Sequence, residues 1–415
     1  RGGRRSMNLD VESLRTFSSL AQSGAEEAAD SLATLTGFDS RVAVTKVEMS
    51  TRSDVEREFR ERDLVSVHIG FSGAIDGRTV LAFDRERAVS LVDALVPGAS
   101  DDPESDLATS GLKELGNIML GGFIDGWADF LGEGIDITTP TYVDLESDRS
   151  LEDVIAASDS GVTDSIGREA ALDDHQMGAN HILAFRNQLE TVNEAAGFYI
   201  YMLPTRDSVK RIVEAAGEDG GLPVETFTSF SQMVTEGSGQ ASADLTAMTG
   251  IDTNVDVSRL SFVPIESIPM QLTDEARQGV VLEFTGTPSG YIAILFDPES
   301  AESVADALMP GMDADPAMRK SAIQEIGNIV TSGFLDGWAN SLETTIDIST
   351  PTYVDDIGSA IVDPLVTELA QTQEYAFLID SAIATPDETF TCDIYALPDE
   401  RELRSAFEQL APEPN

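Results

Sequence analysis

A carboxylate and a carboxamide stand three residues apart at Glu114 and Asn117, a spacing that makes side chains neighbours on one face of an α-helix. The carboxylate of such a pair can anchor a basic residue, and the amide can orient a water molecule. No nucleophile, histidine or acidic cluster accompanies the pair in the sequence. The pair therefore predicts only part of a hydrolytic site, for which a partner would have to bring the electrophile and the metal.

The same residues occur twice with identical spacing, which indicates a tandem duplication. The 35-residue windows that begin at Ser110 and Ser321 agree at 21 positions without a gap. We interpret two glutamates and two asparagines as candidate catalytic residues, namely Glu114, Asn117, Glu325 and Asn328. Two serines and two prolines are candidate supporting residues, namely Ser110, Pro140, Ser321 and Pro351.

The alternative is that both pairs merely decorate an exposed helix face. Asparagine is a mediocre helix former, so an exposed face has little intrinsic reason to carry it mid-helix twice. Other polar positions of the windows changed between the copies, since Lys113 corresponds to Gln324 and Asp129 to Asn340. This comparison favours a restraint on the Glu, Asn and Pro positions.

A long helix over about 103–131 is expected to position the first pair. Its apolar side chains gather on one side at 100° per residue, and its polar set gathers on the opposite side. The apolar positions include Leu112, Leu115, Met119 and Phe123, and the polar ones Ser110, Glu114, Asn117 and Asp125. Burial of the apolar side contributes roughly 1.5 to 3 kcal/mol per large side chain, enough to fix the rotation of the helix. Both polar side chains are therefore expected to point into solvent.

The order of elements predicts an α+β fold in each copy, with an antiparallel sheet and two long helices packed on it. The first domain is predicted at 7–213 with an insertion at about 148–180, the linker at 214–223, and the second domain at 224–410. In the first copy helices are expected at 14–35, 87–95 and 103–131, and strands at 42–49, 64–69, 78–83, 135–143, 181–189 and 197–203.

The composition restricts the partners. The 74 acidic and 26 basic residues give a formal charge of −48, which argues against nucleic acid as a partner. Acid spread along the whole chain is typical of proteins in a high-salt cytoplasm, where charge repulsion is screened within a few Å. No apolar run approaches the roughly 18 residues of a membrane-spanning helix, so we expect a cytoplasmic chain without a membrane partner.

The remaining reactive or aromatic residues receive structural interpretations. Four of them lie in or beside the insertion, two in predicted strands and two in the repeated segment GF-x-DGWA. They are Asp173, Asp174, His175 and His181, expected to be solvated rather than metal ligands; His68 and Cys392, expected in the core; and the packing anchors Trp127 and Trp338. No cofactor or metal site is predicted in the chain.

The pattern Ser-x3-Glu-x2-Asn-x22-Pro, embedded in ELGNI and EIGNI, resembles the signature of the CheC, CheX and FliY family of chemotaxis phosphatases. The resemblance implies two tandem CheC-like domains that remove phosphate from a phosphorylated CheY response regulator. It further implies that Glu114 and Glu325 pair with a lysine of the regulator, and that Asn117 and Asn328 position the attacking water. Mg²⁺ and the phosphoaspartate would belong to the regulator, and CheD is a possible further partner by inheritance.

One feature departs from the family pattern. The first helix of each copy carries Ser19 and Gln22, or Gln232 and Thr235, where Glu and Asn would stand. Neither pair supplies a carboxylate, so we predict one site per copy and two per chain. The competing hypothesis is a non-catalytic adaptor or switch-type protein that uses the same helix face to dock response regulators or motor components.

Overall fold

The computed structural model describes residues 8–9, 11–37, 40–51, 64–85, 88, 91–93, 105–144, 181–191, 197–216, 222–272, 275–309, 311, 315–342, 344–385 and 390–410. The chain divides into two compact units, Arg1–Gly221 and Leu222–Asn415. Each unit contains antiparallel sheet strands and a pair of long helices, which confirms the predicted α+β fold.

The described residues of the first unit include three helices and eight strands. The helices are α1 (Val11–Thr36), α2 (Asp106–Leu131) and α3 (Arg206–Ala216). The strands are β1 (Asn8–Leu9), β2 (Ser40–Thr51), β3 (Leu64–Gly73), β4 (Gly77–Asp84), β5 (Ile135–Ile137), β6 (Thr141–Asp144), β7 (His181–Thr191) and β8 (Gly197–Pro204). The sheet has the order β2-β7-β8-β4-β3, and both β5 and β6 pair with the outer edge of β3.

The second unit repeats this architecture. Its helices are α4 (Val224–Thr249), α5 (Pro298–Leu308), α6 (Pro316–Ser341), α7 (Gly358–Leu369) and α8 (Glu400–Leu410). Its strands are β9 (Leu222–Pro223), β10 (Asn254–Pro264), β11 (Ala276–Thr285), β12 (Gly290–Phe296), β13 (Asp347–Ile348), β14 (Thr352–Ile357), β15 (Tyr375–Ala384) and β16 (Thr391–Pro398), with 3-10 turns at Ile265–Ser267 and Pro269–Gln271. The sheet order is β10-β15-β16-β12-β11, with β13 and β14 on the outer edge of β11.

The two long helices of each unit pack closely against each other at glycine residues. In the first unit Gly24 of α1 meets Phe123 of α2, and a β-carbon on Gly24 would stand 2.9 Å from the Phe123 carbonyl oxygen. In the second unit Gly237 of α4 meets Gly337 of α6, where a β-carbon on Gly337 would stand 2.6 Å from Gly237 Cα. These close approaches fix the height and rotation of α2 and α6 in their units.

The tryptophans anchor the motif helices in the core, as expected. Trp127 of α2 is fully buried, and its ring lies edge-on to Phe185 of β7 with 4.9 Å between centroids. Phe17 of α1 contacts the same Phe185 ring at 5.8 Å. In the second unit Trp338 is equally buried and meets Phe284 of β11 edge-on at 6.1 Å. Such aromatic contacts hold each motif helix against its sheet.

Several predictions of local structure need correction. The strand expected at 135–143 is two strands, β5 and β6, separated by residues 138–140. Helices α3, α7 and α8 were not predicted from the sequence. In α7 the apolar spacing of Ile361, Val362, Val366 and Leu369 was a usable signal, which Pro364 within the helix obscured. Helix α7 covers the far side of its sheet with these side chains.

Other predictions fall wholly or partly outside the described residues. The insertion at 148–180 lies outside them, with Asp173, Asp174 and His175. Of the linker expected at 214–223, residues 214–216 belong to α3 and 222–223 to β9, and the rest lie outside the described residues. The short helix expected at 87–95 is partly described, and there Ala88 and residues 91–93 are helical.

Candidate functional site

Helix α2 presents the first Glu and Asn on the side that faces away from its buried stripe. It begins at Ser105, whose hydroxyl caps the helix by accepting from the Ala108 N–H at 3.3 Å, and ends at Gly132 in the left-handed conformation. Glu114 is exposed and Asn117 is half-buried. Both side chains are thus accessible from solvent, although part of the Asn117 surface is covered by the protein.

A buried glycine lies between the two polar residues and sets their direction. Gly116 faces the sheet so closely that a β-carbon there would stand 2.6 Å from Cγ1 of Val67 on β3. Each residue of an α-helix is rotated by about 100° from the one before it. Asn117 therefore points about 100° away from the contact that Gly116 makes, and Glu114, two positions before Gly116, points to the opposite side of the helix. The close contact between helix and strand therefore holds the rotation of α2 that displays Glu114.

The proline of the motif lies at a β-bulge on the edge of the sheet. Ile137 pairs with Phe71 of β3, and Thr141 pairs with His68. The two residues on β5 and β6 are four positions apart in sequence, whereas their partners on β3 are three positions apart. The extra residue falls in the segment that contains Pro140, where a missing N–H costs no ladder hydrogen bond. Because α2 contacts β5 and β6, the bulge lies beside the helix face that carries the pair.

A threonine side chain closes the bulge. The N–H of Thr138 donates to the Gly70 carbonyl oxygen at 2.8 Å, and the Gly70 N–H donates to Oγ1 of Thr138 at 2.8 Å. The hydroxyl thus replaces a backbone acceptor that the bulge removes from the ladder. Sequence reasoning missed Thr138, although a hydroxyl residue two positions before the proline in both copies was a usable signal.

The second unit builds the same arrangement. In α6 the N-cap Asp315 accepts from the Met318 N–H at 2.9 Å. Glu325 is exposed, Asn328 is half-buried, and Gly327 between them faces Val280 of β11 even more closely than Gly116 faces Val67. The geometry is therefore repeated on the helix and at the sheet contact.

The edge of the second sheet carries the matching bulge. Ile348 pairs with Phe284 and Thr352 with Val281, again four steps against three. The hydroxyl of Ser349 accepts from the Glu283 N–H at 2.9 Å, as Thr138 does in the first unit. Pro351 is half-buried, as Pro140 is.

The serine of each motif lies one turn before the glutamate, and both Ser110 and Ser321 are exposed. Oγ of Ser321 donates to the Ala317 carbonyl oxygen of its own helix at 3.0 Å. Such back-bonding within a helix turns the hydroxyl toward the backbone. This placement is consistent with a supporting position.

The two units differ in the side chains that surround the asparagine. In the second unit Nε2 of Gln324 donates to the Pro351 carbonyl oxygen at 3.0 Å, and Oγ of Ser332 donates to the main-chain carbonyl oxygen of Asn328 at 2.8 Å. The corresponding residues of the first unit are Lys113 and Gly121. The backbones of the two sites are alike, but the side-chain hydrogen bonds near the asparagine differ between the units.

A lysine stands at the start of the second site. Nζ of Lys320 lies 4.9 Å from the centre of the Tyr353 ring, a cation–π geometry. Burial of the Tyr353 hydroxyl, and secondly the charge of Asp355, raise the pKa of that tyrosine. Tyr353 therefore stays protonated at neutral pH and offers the lysine a neutral ring.

The first helices carry the substitutions noted in the sequence. Ser19 and Gln22 are exposed on α1, and Nε2 of Gln22 donates to Oε1 of Glu26 at 3.2 Å. Thr235 is exposed on α4. The side chain of Gln232 lies outside the described residues. The described positions of these helices present hydroxyl and amide groups where a carboxylate would be needed.

His68 and Cys392 have structural surroundings, as expected. His68 is buried, and its Nε2 lies 2.9 Å from Oγ of Ser66. Burial, and secondly the charge of Arg78, lower the pKa of His68 to about 3, so the ring is neutral. Cys392 is buried in β16, where burial raises the pKa of its thiol well above the ordinary value and keeps it a poor nucleophile.

No group of histidine, cysteine, aspartate or glutamate side chains in the described part of the chain is arranged to hold a metal ion. Within the same residues no helix is long and apolar enough to cross a membrane. The backbone of His181 begins β7, and its side chain lies outside the described residues.

Comparison with known proteins supports the resemblance. The CheC-like family profile matches the chain twice, at residues 107–143 and 318–354, which are the two motif helices with their edge strands. CheC1 of Halobacterium salinarum, a candidate CheY-P phosphatase, is 33% identical over 186 residues, which are 43% of this chain and 92% of CheC1. Its source fits the high-salt interpretation of the charge.

Two further similarities are shorter or more distant. CheX of Thermotoga maritima, a CheY-P phosphatase, is 39% identical over 80 residues, which are 19% of this chain and 50% of CheX. The crystal structure of FliY from Thermotoga maritima covers 50% of this chain and 97% of its own, with 16% identity and a TM-score of 0.37. The match over most of CheC1, together with the doubled motif, shows that this chain belongs to the CheC-like family as a tandem duplication.

Proposed function

We propose that the chain hydrolyses the aspartyl phosphate of a phosphorylated CheY-type response regulator. The observation that carries this proposal is the repeated geometry of α2 and α6, in which a glycine packed on the sheet holds an exposed Glu and a half-buried Asn on the outer face. Two of its relatives bear the name of a CheY-P phosphatase, one of them as a candidate.

In this proposal the glutamate anchors the regulator. Glu114 and Glu325 are exposed and stand near the middle of rigid 26-residue helices, so each can form an ion pair with a lysine of the docked protein. An exposed ion pair contributes little by itself, up to about 1 kcal/mol, but the docked surfaces would exclude water from it. The carboxylate therefore contributes to docking of the regulator rather than to the chemical step.

The asparagine is proposed to position the attacking water. Its carboxamide both donates and accepts hydrogen bonds, so it can hold a water molecule in one orientation. The oxygen of that water attacks phosphorus, the bond from phosphorus to the aspartyl oxygen breaks, and inorganic phosphate and a free carboxylate result. Phosphoryl transfer depends mainly on positioning and charge stabilisation, and the regulator's Mg²⁺ would supply the second.

The partial burial of Asn117 and Asn328 supports this role. A half-buried carboxamide has fewer accessible rotamers than an exposed one, and less side-chain entropy is lost when it orders a water. The bulges at Pro140 and Pro351 lie beside the helices that carry these asparagines and are paired to the sheet. A fixed surface beside the asparagine matters for catalysis by positioning, since small displacements of the attacking atom reduce the rate by large factors.

The test is the decay of a phosphorylated CheY-type regulator at high salt, with the chain and with the Asn117→Ala/Asn328→Ala double variant. High salt is required because the net charge of −48 repels an acidic partner over longer distances at low ionic strength. We expect the chain to accelerate decay and the double variant to lose the acceleration.

Two results would contradict the proposal in different ways. A regulator that binds the chain but decays at its own rate would support a docking protein instead of a phosphatase. Acceleration that survives in the double variant would leave the activity in place and exclude the proposed asparagines. The matched control is Asn340→Ala, an exposed asparagine on α6 that lies outside the motif.

A further inference from the structure

The second site contains a side-chain bridge that the first site lacks. Gln324 precedes Glu325 and stands four residues before Asn328, so Gln324 and Asn328 lie one above the other on α6. Nε2 of Gln324 donates to the Pro351 carbonyl oxygen at 3.0 Å. The bridge joins the helix turn that carries Asn328 to the bulge on the sheet edge.

The far end of this bridge is itself fixed. Ser349, two residues before Pro351, donates its N–H to the Glu283 carbonyl oxygen at 2.8 Å and accepts from the Glu283 N–H through its hydroxyl at 2.9 Å. The segment from Ser349 to Pro351 is thus bonded to β11 at one end and to α6 at the other. Gln324 therefore fixes the spacing between the bulge and the helix.

A second side chain bonds to the backbone at Asn328 from the following turn. Oγ of Ser332 donates to the main-chain carbonyl oxygen of Asn328 at 2.8 Å. In the first unit the corresponding residue is Gly121, whose missing side chain would meet only Cδ1 of Ile137, at 3.9 Å. Glycine in a helix leaves the backbone freer than any other residue does.

The residue that corresponds to Gln324 in the first unit is Lys113. An ammonium group is a flexible point charge on a long stem, whereas a primary amide is planar and directional. Among the hydrogen bonds of the described residues, none joins Lys113 to Pro140. The first site therefore has the glutamate, the asparagine and the bulge, but not the bridge.

From this contrast, and resting on the proposed phosphatase function, we infer that Gln324 is a positioning residue of the second site and that the two sites are not equivalent. Gln324 does not contact the reacting atoms. It holds the Pro351 bulge against the turn of Asn328, so that the water-orienting amide meets its partner in one arrangement. The second site is then the faster of the two at saturating regulator.

The role of Gln324 can be tested in variants of the 415-residue chain that retain one site. Asn117→Ala leaves the second site, in which Gln324→Glu keeps the shape of the side chain but removes the donor. Gln324→Lys introduces the residue of the first unit. Loss of one hydrogen bond predicts that kcat for dephosphorylation falls roughly 2- to 10-fold with KM nearly unchanged.

The first site offers the reciprocal experiment. In the Asn328→Ala chain, Lys113→Gln provides the amide that can reach Pro140, and we expect kcat to rise. The control in both backgrounds is a substitution at an exposed site on the same helices, Asn340→Ala or Asp129→Ala. Chemical denaturation of every variant shows whether a change in kcat follows from lost stability.

A readout independent of activity separates this inference from the phosphatase proposal. In the chain that keeps both asparagines, the side-chain amide of Asn328 can be followed by nitrogen-15 relaxation. There Gln324→Glu is expected to increase the motion of the Asn328 amide, while the amide of Asn117 keeps its values. If no chain accelerates phosphate loss, the phosphatase proposal fails, and the positioning role is judged on these amide signals. Unchanged kcat in an active chain, a loss confined to KM, or an unchanged Asn328 amide would each overturn the role of Gln324.

Discussion

Gly116 of helix α2 lies against Val67 of strand β3 with no room for a β-carbon between them, since such an atom would stand 2.6 Å from Val67 Cγ1 and 3.1 Å from Val67 Cβ. Valine is branched at Cβ and cannot turn its side chain away without moving the strand. This contact lies between the two polar residues of the motif. The packing of α2 on β3 therefore determines the direction in which the two polar side chains point.

Gly116→Ala is therefore expected to lower both stability and activity. Overpacking of a helix on a sheet costs about 1 to 3 kcal/mol, and relief of the clash would turn or lift α2. Urea unfolding at constant high salt measures the first effect, and regulator dephosphorylation in the Asn328→Ala chain measures the second. Gly121→Ala on the same helix is the control, because it meets only Ile137 and gains helix propensity of up to about 1 kcal/mol. Equal behaviour of the two variants would contradict the packing argument.

Ser349→Ala removes the acceptor for the Glu283 N–H and opens the second bulge. Loss of this hydrogen bond is expected to cost about 1 kcal/mol in the free energy of unfolding and to slow the second site. Thr350→Ala is the matched control, since Thr350 is the next residue along the chain and is exposed like Ser349. The comparison uses urea unfolding and the Asn117→Ala background for activity. A larger effect of Thr350→Ala than of Ser349→Ala would exclude the role of the serine hydroxyl.

Single substitutions of the asparagines report the number of working sites. Each unit carries a complete set of motif residues, so losses from Asn117→Ala and Asn328→Ala are expected to add up to nearly the whole acceleration. If Gln324 acts as inferred, Asn328→Ala costs the larger share. A single variant that abolishes all activity would show that one unit alone is catalytic.

The glutamates are expected to act on binding rather than on the chemical step. Glu114→Gln and Glu325→Gln remove the charge but keep the shape, so together they raise KM for the phosphorylated regulator with a smaller change in kcat. The difference from the parent chain shrinks as salt is added, because exposed ion pairs are screened. Steady-state kinetics at two salt concentrations make this measurement. A fall in kcat with constant KM would assign the glutamates to the chemical step.

Asp393 of β16 makes the stability of the second unit depend on pH. Burial, and secondly the charge of Asp380, raise the pKa of Asp393 to about 7, although Nε of Arg277 lies 3.9 Å from its carboxylate. Asp297 also contributes to the raised pKa. Because the folded chain holds this proton to about pH 7 and the unfolded chain releases it near pH 4, the contribution to stability is greatest at acidic pH. It is lost as pH rises toward 7, with a slope of at most about 1.4 kcal/mol per pH unit.

Asp393→Asn is expected to remove that part of the pH dependence. The free energies of unfolding in urea at pH 5 and pH 7.5 should differ less in the variant than in the parent chain. Asp363→Asn, an exposed carboxylate on α7, is the control and should leave the difference unchanged. A pH dependence that Asp393→Asn does not alter would show that other carboxylates cause it.

Much of the site could be predicted from sequence because its information is local. The i, i+3 spacing of Glu114 and Asn117 places them together on any α-helix, and the apolar residues Leu112, Leu115 and Met119 determine which side is buried. Because the motif is repeated, the same prediction applies to Glu325 and Asn328 on α6. Helix geometry and duplication need no knowledge of distant contacts.

Tertiary structure decided what surrounds those residues, because it depends on which segments meet. The β-bulge at Pro140 exists only through pairing with β3, more than sixty residues earlier in the chain. The bond from Gln324 to Pro351 joins residues 27 positions apart, and in the sequence Gln324 is only a polar neighbour of Glu325. Sequence by itself determined which groups do the proposed chemistry and how many times they occur. Packing of helix on sheet decided how firmly each is held, because that depends on distances between segments that no local pattern encodes.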